Sequence, residues 1–267
     1  MGQDSKISWT THTFNPWWGC TRIVGSPACG PVDGEDGPVC YAEDWSKRCG
    51  YSEDGSHFPI WGADAQRRYF GDKHWAEPLK WNAAAQKAGV RARVFCMSMG
   101  DWAEGRPDQQ PHLERLWDLI RRTPWLDWLM LTKRPQLINK LCPIKNDWRV
   151  WQGTTAETQP WLDIRWNALK QAHAEIYWLS VEPMFEAITL PKDFLELGSS
   201  AWVICGGPSG TNTHKMNPDW ARALRDQCLD AGVRFHMKQM SGTRKQDLEA
   251  IPEDLMIRQY PIVGAPR

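Results

Sequence analysis

The sequence has no apolar run approaching the ~18 residues that a membrane-crossing helix requires, and its opening stretch, MGQDSKISWTTHTF, lacks the apolar centre of a secretory signal. A soluble, cytoplasmic protein is therefore expected (in the host cytoplasm if the chain is phage-encoded). Net charge is missing as well. With 32 basic and 32 acidic side chains, no global field draws the chain to nucleic acid or membrane, and a polyanionic partner would need a local basic patch. Repeats, low-complexity tracts and linkers are absent, so residues 1–267 are read as one domain, a length that suits one α/β barrel. No Ser/His/Asp order and no phosphate-cradling glycine loop is evident, since Gly206-Gly-Pro-Ser-Gly210 alone is a weak signal. The close Cys-x2–4-Cys pairs that mark most structural zinc sites are also missing.

What is present begins with eight cysteines, which a reducing compartment would not join into disulfides. Cys20, Cys29, Cys40 and Cys49 cluster near the N-terminus, while Cys96, Cys142, Cys205 and Cys228 lie among apolar neighbours and read as small core residues. The 18 tryptophans are too many for surface duty; most belong in the core, and some rings are expected to line a ligand or base-stacking surface.

Short bounded apolar runs recur at 93–97, 128–131, 150–153, 176–179, 202–205 and 233–237, as expected of strands buried on both faces. An opening strand is expected around Ile7 to Phe14. Helical spacing of apolar residues predicts helices over His112 to Arg122, Pro160 to Ala174 and Pro218 to Ala231, the last stopped by Gly232. Strand alternating with helix implies right-handed crossovers and parallel pairing. The predicted fold class is α/β, a partial or complete (β/α) barrel of about six to seven parallel strands. A long excursion, rich in Gly, Asp and Ser, follows the first strand and spans about residues 20–75.

Sites in such folds form on the loops after the strands' carboxyl ends. Those loops here carry Asn15 to Cys20, Ser98 to Asp101, Thr132 to Pro135, Thr154 to Glu157, Ser180 to Pro183, Gly206 to Gly210 and Lys238-Gln239. Solvated loops are often polar, but each of these clusters abuts a buried run, which favours a site.

The cysteine spacing is Cys20-x8-Cys29-x10-Cys40, followed by Tyr41-Ala-Glu43. Three thiolates can hold three irons of a [4Fe–4S] cluster and leave the fourth open to a cofactor such as S-adenosylmethionine (SAM). One electron from the cluster would then cleave SAM to a 5′-deoxyadenosyl radical. With Cys49 added, four thiolates could instead form a tetrahedral zinc site. Four unrelated thiols are the third reading. Spacing alone leaves all three open; position after a first barrel strand favours the cluster.

Asn15-Pro-Trp-Trp-Gly-Cys20, Cys29, Cys40-Tyr-Ala-Glu43, Leu131-Thr-Lys-Arg-Pro135, Ser180-Val-Glu-Pro183, Gly206-Gly-Pro-Ser-Gly210 and Lys238-Gln239 together resemble one family, running from about Ile7 to Gly242. It is the phage and bacterial three-cysteine-motif family related to radical SAM enzymes. Two departures stand out. Gly30 to Val39 separate the second and third cysteines, which lie close together in the family, and Pro208 replaces the family's glutamate. The resemblance implies a barrel with cluster and SAM at its mouth, fed by an external electron donor, with Cys20, Cys29 and Cys40 as iron ligands. It implies that Asp101, in a loop like the family's that begins at Ser98, takes the methionine amino group of SAM. Thr155, Glu157, Ser180 and Glu182 would surround the ribose and carboxylate, and Tyr41 would pack on adenine. Lys133, Arg134, Lys238 and Gln239 fall on the substrate side; for the carboxylates, a plain ion pair with Lys133, Arg134 or Lys238 is the competing role.

Some members of that family resemble enzymes of thymine hypermodification in viral DNA. The implied reaction is a radical isomerisation of glycine-bearing thymine that moves the attachment from nitrogen to the α-carbon. A DNA partner is compatible with Lys47, Arg48, Arg67, Arg68, Lys73 and His74, which are interleaved with Trp45, Tyr69, Phe70 and Trp75. The same pattern also suits a helix with solvated cations. Other nucleic-acid or peptide substrates, and a zinc-stabilised nucleic-acid-binding module, are the alternatives.

Overall fold

The computed structural model describes residues 2–30, 40–210 and 214–261. Seven runs form strands: β1 His12–Thr13, β2 Ala92–Cys96, β3 Leu126–Thr132, β4 Val150–Thr155, β5 Tyr177–Val181, β6 Ala201–Gly206 and β7 Arg234–Gln239. They pair in chain order and all in parallel, which makes one seven-stranded sheet. The predicted α/β class and strand count hold. Between strands lie α2 Glu77–Ala88, α3 Gln110–Arg121, α4 Gln159–Leu169 and α5 Pro218–Asp230, after α1 Tyr41–Arg48 in the excursion. The helices cover the outer face, where Leu113, Leu116, Leu162, Trp166 and Leu224 pack against the strands. Among the described residues no helix is long and apolar enough to cross a membrane.

The sheet is curled. Trp9 lies with its ring 4.6 Å from Phe95 on β2, 5.6 Å from Trp178 on β5 and 6.2 Å from Trp202 on β6. In a flat sheet β2 and β6 would stand about 19 Å apart, four strand spacings, so one ring can touch both only inside a half-barrel. Phe95, Leu129, Trp151, Trp178, Trp202 and Ile204 fill that concave face. The opening strand is shorter than predicted because Trp9 turns inward to plug this interior, leaving only His12 and Thr13 to pair with β2.

Among the described residues β1 and β7 do not pair, and two chain segments fill the seam. The hydroxyl of Ser8 meets His236 Nε2 at 3.0 Å, Tyr260 donates to the Ser8 carbonyl at 2.9 Å, and Arg93 stacks over Tyr260 at 3.8 Å. Helix α4 stops short of the predicted Ala174. The chain leaves the helix through tighter turns, with the Gln171 and Ala172 N–H groups donating to the Ala168 and Leu169 carbonyls, and the Ala172 carbonyl accepts the Tyr177 hydroxyl. Helices α1 and α2 were not predicted, although Pro78 in the first turn of α2 and Gly89 in left-handed conformation after it are the usual helix punctuation.

Two outcomes follow from this packing. A Cβ on Gly153 of β4 would lie 2.3–2.5 Å from the Trp178 ring. Gly153→Ala should therefore destabilise the fold by about 1–3 kcal/mol, read as a lower urea midpoint with unchanged slope. Burial, then the charges of Arg258, Arg93 and Lys238, push His236 down to about 3 from its ordinary 6.5. The unfolded chain thus binds this proton first, so the contribution is fully present above pH 6.5 and is lost as pH falls toward 3. Between about pH 6.5 and 5, wild type should lose about 1–2 kcal/mol that His236→Gln does not, measured by urea unfolding across that range.

Candidate active site at the barrel mouth

The carboxyl ends of the strands open onto a cavity of about 660 Å³ that reaches from the cysteine excursion to the seam. Cys20, Cys29, Cys40, Tyr41, Ser98, Asp101, Lys133, Arg134, Thr155, Ser180, Glu182, Lys238 and Gln239 all line it. Of the predicted site residues only Glu157 is absent from its wall. Glu157 is fully buried behind it, ion-paired with Arg165 and accepting from the Ser26 hydroxyl at 2.7 Å.

Each cysteine-bearing arm is braced. The Cys20 arm is fixed to the end of β2 by the Gly19 N–H, which donates to the Met99 carbonyl at 2.9 Å. Only glycine fits there, because a Cβ on Gly19 would meet the Ile60 carbonyl at 2.2 Å. Beyond it, the Thr21 N–H donates to Glu104 at 2.9 Å, and Glu104 pairs with Arg67 at 2.5 Å, the two side chains 3% and 0% exposed. Arg67 also donates to the carbonyls of Ile60, Gly62 and Ala65, so one guanidinium gathers the excursion around Cys20. The turn holding Cys29 is tied to the end of β4 through Ser26, Glu157 and Arg165. The third arm enters α1 directly after Cys40, where Glu43 is clamped by Arg22 at 2.7 Å and Lys47 at 2.9 Å. Burial works against the Glu43 and Glu104 charges, yet hydrogen bonds from their cationic partners keep both carboxyls below the usual range. No sequence pattern announced the Arg67–Glu104, Arg22–Glu43 and Ser26–Glu157 contacts, because each joins residues from distant segments.

Among the described residues no three His, Cys, Asp or Glu side chains stand together at metal-holding distances. Residues 31–39 of the predicted expanded loop lie outside the described residues. Even so, the donor set is one that an iron–sulfur cluster takes, since three thiols share one cavity wall. Burial raises the Cys20 and Cys40 thiols as it raises the core thiols of Cys96 and Cys205, so that shift marks burial. Cys49 does not belong with them. It caps the far end of α1, nine residues or about 13 Å of helix beyond Cys40. Four thiolates on one zinc, each at about 2.3 Å, cannot include both ends of that helix. The cavity wall also carries an orphaned group, the Thr155 hydroxyl, which is buried with no hydrogen-bond partner among the described residues.

Asp101 and Glu182 are already engaged. Asp101 accepts from Thr132 at 2.6 Å, Arg134 at 2.8 Å and the backbone N–H groups of Ala103 and Lys133. Glu182 pairs with Lys238, and Gln239 donates to the Gly207 carbonyl. Lys133 forms no ion pair among the described residues. Burial works against its charge, and the neighbouring Cys29, Glu157 and Cys40 outweigh that and raise it. Tyr41 is 57% exposed at the rim.

The basic and aromatic stretch expected to face DNA is mostly internal cement. Arg67 and Trp75 are buried. Arg68 is caged by Trp18, Tyr51 and Phe70 at 4.4–5.0 Å, and Tyr69 stacks on His112 at 3.9 Å. His74 stacks between Phe14 and Phe70. Lys47 and Arg48 pair with Glu43 and Asp44. The ribbon that joins Trp17–Trp18 to Arg68–Tyr69 turns these residues inward or onto one another. Of the set, Trp45, Lys47, Arg48 and Lys73 remain exposed, with Arg48 stacked over Trp45 at 5.5 Å.

Residues 4–260 match the model of a family described as Protein of unknown function (DUF5131). The chain belongs to this family. No curated protein matches the DUF5131 chain in sequence. Among solved structures it is similar to a cysteine-to-serine mutant of spore photoproduct lyase, at TM-score 0.53 and 10% identity over 89% of this chain and 79% of the lyase. A double mutant of spore photoproduct lyase with bound AdoMet and dinucleoside spore photoproduct is similar at TM-score 0.48 and 10% identity, over 85% of this chain and 63% of that one. The DUF5131 chain thus spans less than two thirds of the length of that second structure. At such identity the likeness is one of fold.

Glu104 provides a direct test of the bracing. Glu104→Gln would leave the Arg67 guanidinium buried without its counter-charge and should cost about 3–5 kcal/mol in urea unfolding. Asp44→Asn, which breaks an exposed pair, should cost at most about 1 kcal/mol.

Proposed function

We propose that this chain is a radical SAM enzyme, in which Cys20, Cys29 and Cys40 hold a [4Fe–4S] cluster with one iron open to SAM. The observation that carries the reading is the placement of three separately braced thiols on the wall of one barrel-mouth cavity, with Cys49 about 13 Å of helix away from Cys40. When bound and reduced, the cluster supplies the electron that cleaves SAM to a 5′-deoxyadenosyl radical. The chain's own side chains bind and orient. Thr155 has a free hydroxyl for the ribose, and Ser98, Ser180 and Glu182 stand on the same wall. Tyr41 at the rim offers a ring to adenine. Lys133 holds a positive charge beside Cys29 and Cys40 and can receive a carboxylate. Asp101 can take the SAM amino group only by sharing a carboxylate that already accepts four bonds. Glu157 acts from behind the wall by fixing the Cys29 turn. Lys238 and Gln239 face the remaining volume, where the substrate enters, above an apolar floor of packed indoles.

For the substrate, the reading is an amino-acid-modified thymine of DNA, isomerised by abstraction of a glycyl α-hydrogen, which would leave in 5′-deoxyadenosine. The bond from the thymine to nitrogen would break as the bond to the α-carbon forms, and a second electron from the external reductant with a proton would close the rearranged radical. The α-radical is stabilised by its neighbours, and a base within a duplex would be flipped out to reach the cavity.

The test is anaerobic purification with a visible spectrum and an iron and zinc count. Wild type should be brown with about four irons, and Cys20→Ala, Cys29→Ala and Cys40→Ala should each bleach it while Cys49→Ala does not. Reduction with SAM should then release 5′-deoxyadenosine, faster with DNA bearing glycinyl-thymidine. A colourless reconstituted protein holding one zinc that is lost in Cys49→Ala would overturn the radical reading. 5′-Deoxyadenosine released without any response to the modified DNA would overturn the substrate alone.

A further inference from the structure

Arg134 follows β3 in a motif that pointed to the substrate, yet its guanidinium faces the other way. Nη1 lies 3.7 Å from Cys20 Sγ and 2.8 Å from Asp101, and Nη2 donates to the Thr21 carbonyl at 2.5 Å. The geometry is locked by a closed circuit. The Arg134 N–H donates to the Thr132 hydroxyl at 2.9 Å, and that hydroxyl donates to Asp101 at 2.6 Å, which receives the guanidinium in turn. The Arg134 and Asp101 side chains are 13% and 6% exposed, so this charge acts where water screens it little. The Cys20 arm has anchors besides Arg134, in the Gly19 N–H, Glu104 and Arg67.

We infer that Arg134 is a positioning residue that sets how readily the cluster at Cys20 accepts an electron; this rests on the radical SAM reading above. A donor and a positive charge at a ligating sulfur stabilise the reduced, more negative form of a cluster and raise its reduction potential. Asp101, the counter-charge of Arg134, works in the opposite sense and keeps the guanidinium aimed. The only step involved is the transfer of one electron from an external reductant to the cluster, with no bond made or broken.

The experiment is a reductive titration of the reconstituted full-length protein with dithionite and redox mediators, followed by the electron paramagnetic resonance of the reduced cluster. Arg134→Met should retain its iron and be harder to reduce by about tenfold in the one-electron equilibrium, or about 59 mV. Arg134→Lys, which keeps the charge without the fork, should fall between it and wild type. Asp101→Asn, in which the Thr21 carbonyl still holds the guanidinium, should shift the opposite way and be easier to reduce. Equal midpoints in these proteins, each with full iron, would overturn the inference and leave the radical reading intact. If Arg134→Met loses iron, the decision passes to Arg134→Lys and Asp101→Asn, and midpoints equal to wild type in both would overturn it. Wild type without iron would sink the radical reading and this inference with it.

Discussion

Three cysteines sit far apart in a chain that, among its described residues, gives them no hydrophobic core of their own, and buried ion pairs do the work of holding them. Arg67 with Glu104 and Arg165 with Glu157 fasten the first two arms to the loops after β2 and β4, and Glu43 with the more exposed Arg22 and Lys47 ties the third arm to the first. The two fully buried pairs add little net stability, because desolvation offsets most of the Coulomb attraction, but breaking one leaves an uncompensated charge in low dielectric. That asymmetry suits a positioning device. An apolar contact tolerates sliding, whereas a guanidinium with several carbonyl and carboxylate partners at fixed angles has one arrangement. Arg67, with donors on Ile60, Gly62, Ala65, Thr21 and Glu104, turns an excursion without long secondary structure into a rigid collar.

The half-barrel supplies the opposite quality, a stiff apolar base. Trp9 locks the curvature by touching β2, β5 and β6 at once, and Gly153 makes room for the Trp178 ring, whose N–H finds the Trp151 carbonyl at 3.1 Å. Because two irregular segments fill the seam in place of a further strand pair, the cavity can run sideways past Lys6 and Arg258 as well as upward to the cysteines. A closed barrel of this size would be filled by its own side chains. Leaving the seam to short segments gives a floor of packed indoles and a mouth with volume.

The strands were legible because a parallel sheet covered on both faces demands unbroken apolar runs, and such runs at 93–97, 128–131 and 202–205 admit few other readings. The site was legible as a location, since strand ends in this architecture share one mouth. The direction in which each side chain points there was not. Glu157 and Glu182 both follow a strand closely, but Ser26 and Arg165 draw the first behind the wall and Lys238 holds the second on it. Arg67-Arg68 reads as one basic patch, yet adjacent residues of an extended ribbon face opposite sides. One therefore became a buried clamp and the other the centre of an aromatic cage. Contacts of long sequence separation decided these cases, and no local pattern encodes them.

The charge at the mouth closes only with an occupant. Asp101 is matched by Arg134 and Glu182 by Lys238, while Lys133 finds no ion pair among the described residues although it stands beside Cys29 and Cys40. Against burial, the acidic groups that raise its pKa are Cys29, Glu157 and Cys40, and of these Glu157 is already held by Arg165 and Ser26. An anionic group entering the cavity would therefore find its unpaired cation at Lys133, whereas Arg134 and Lys238 would have to release a carboxylate first.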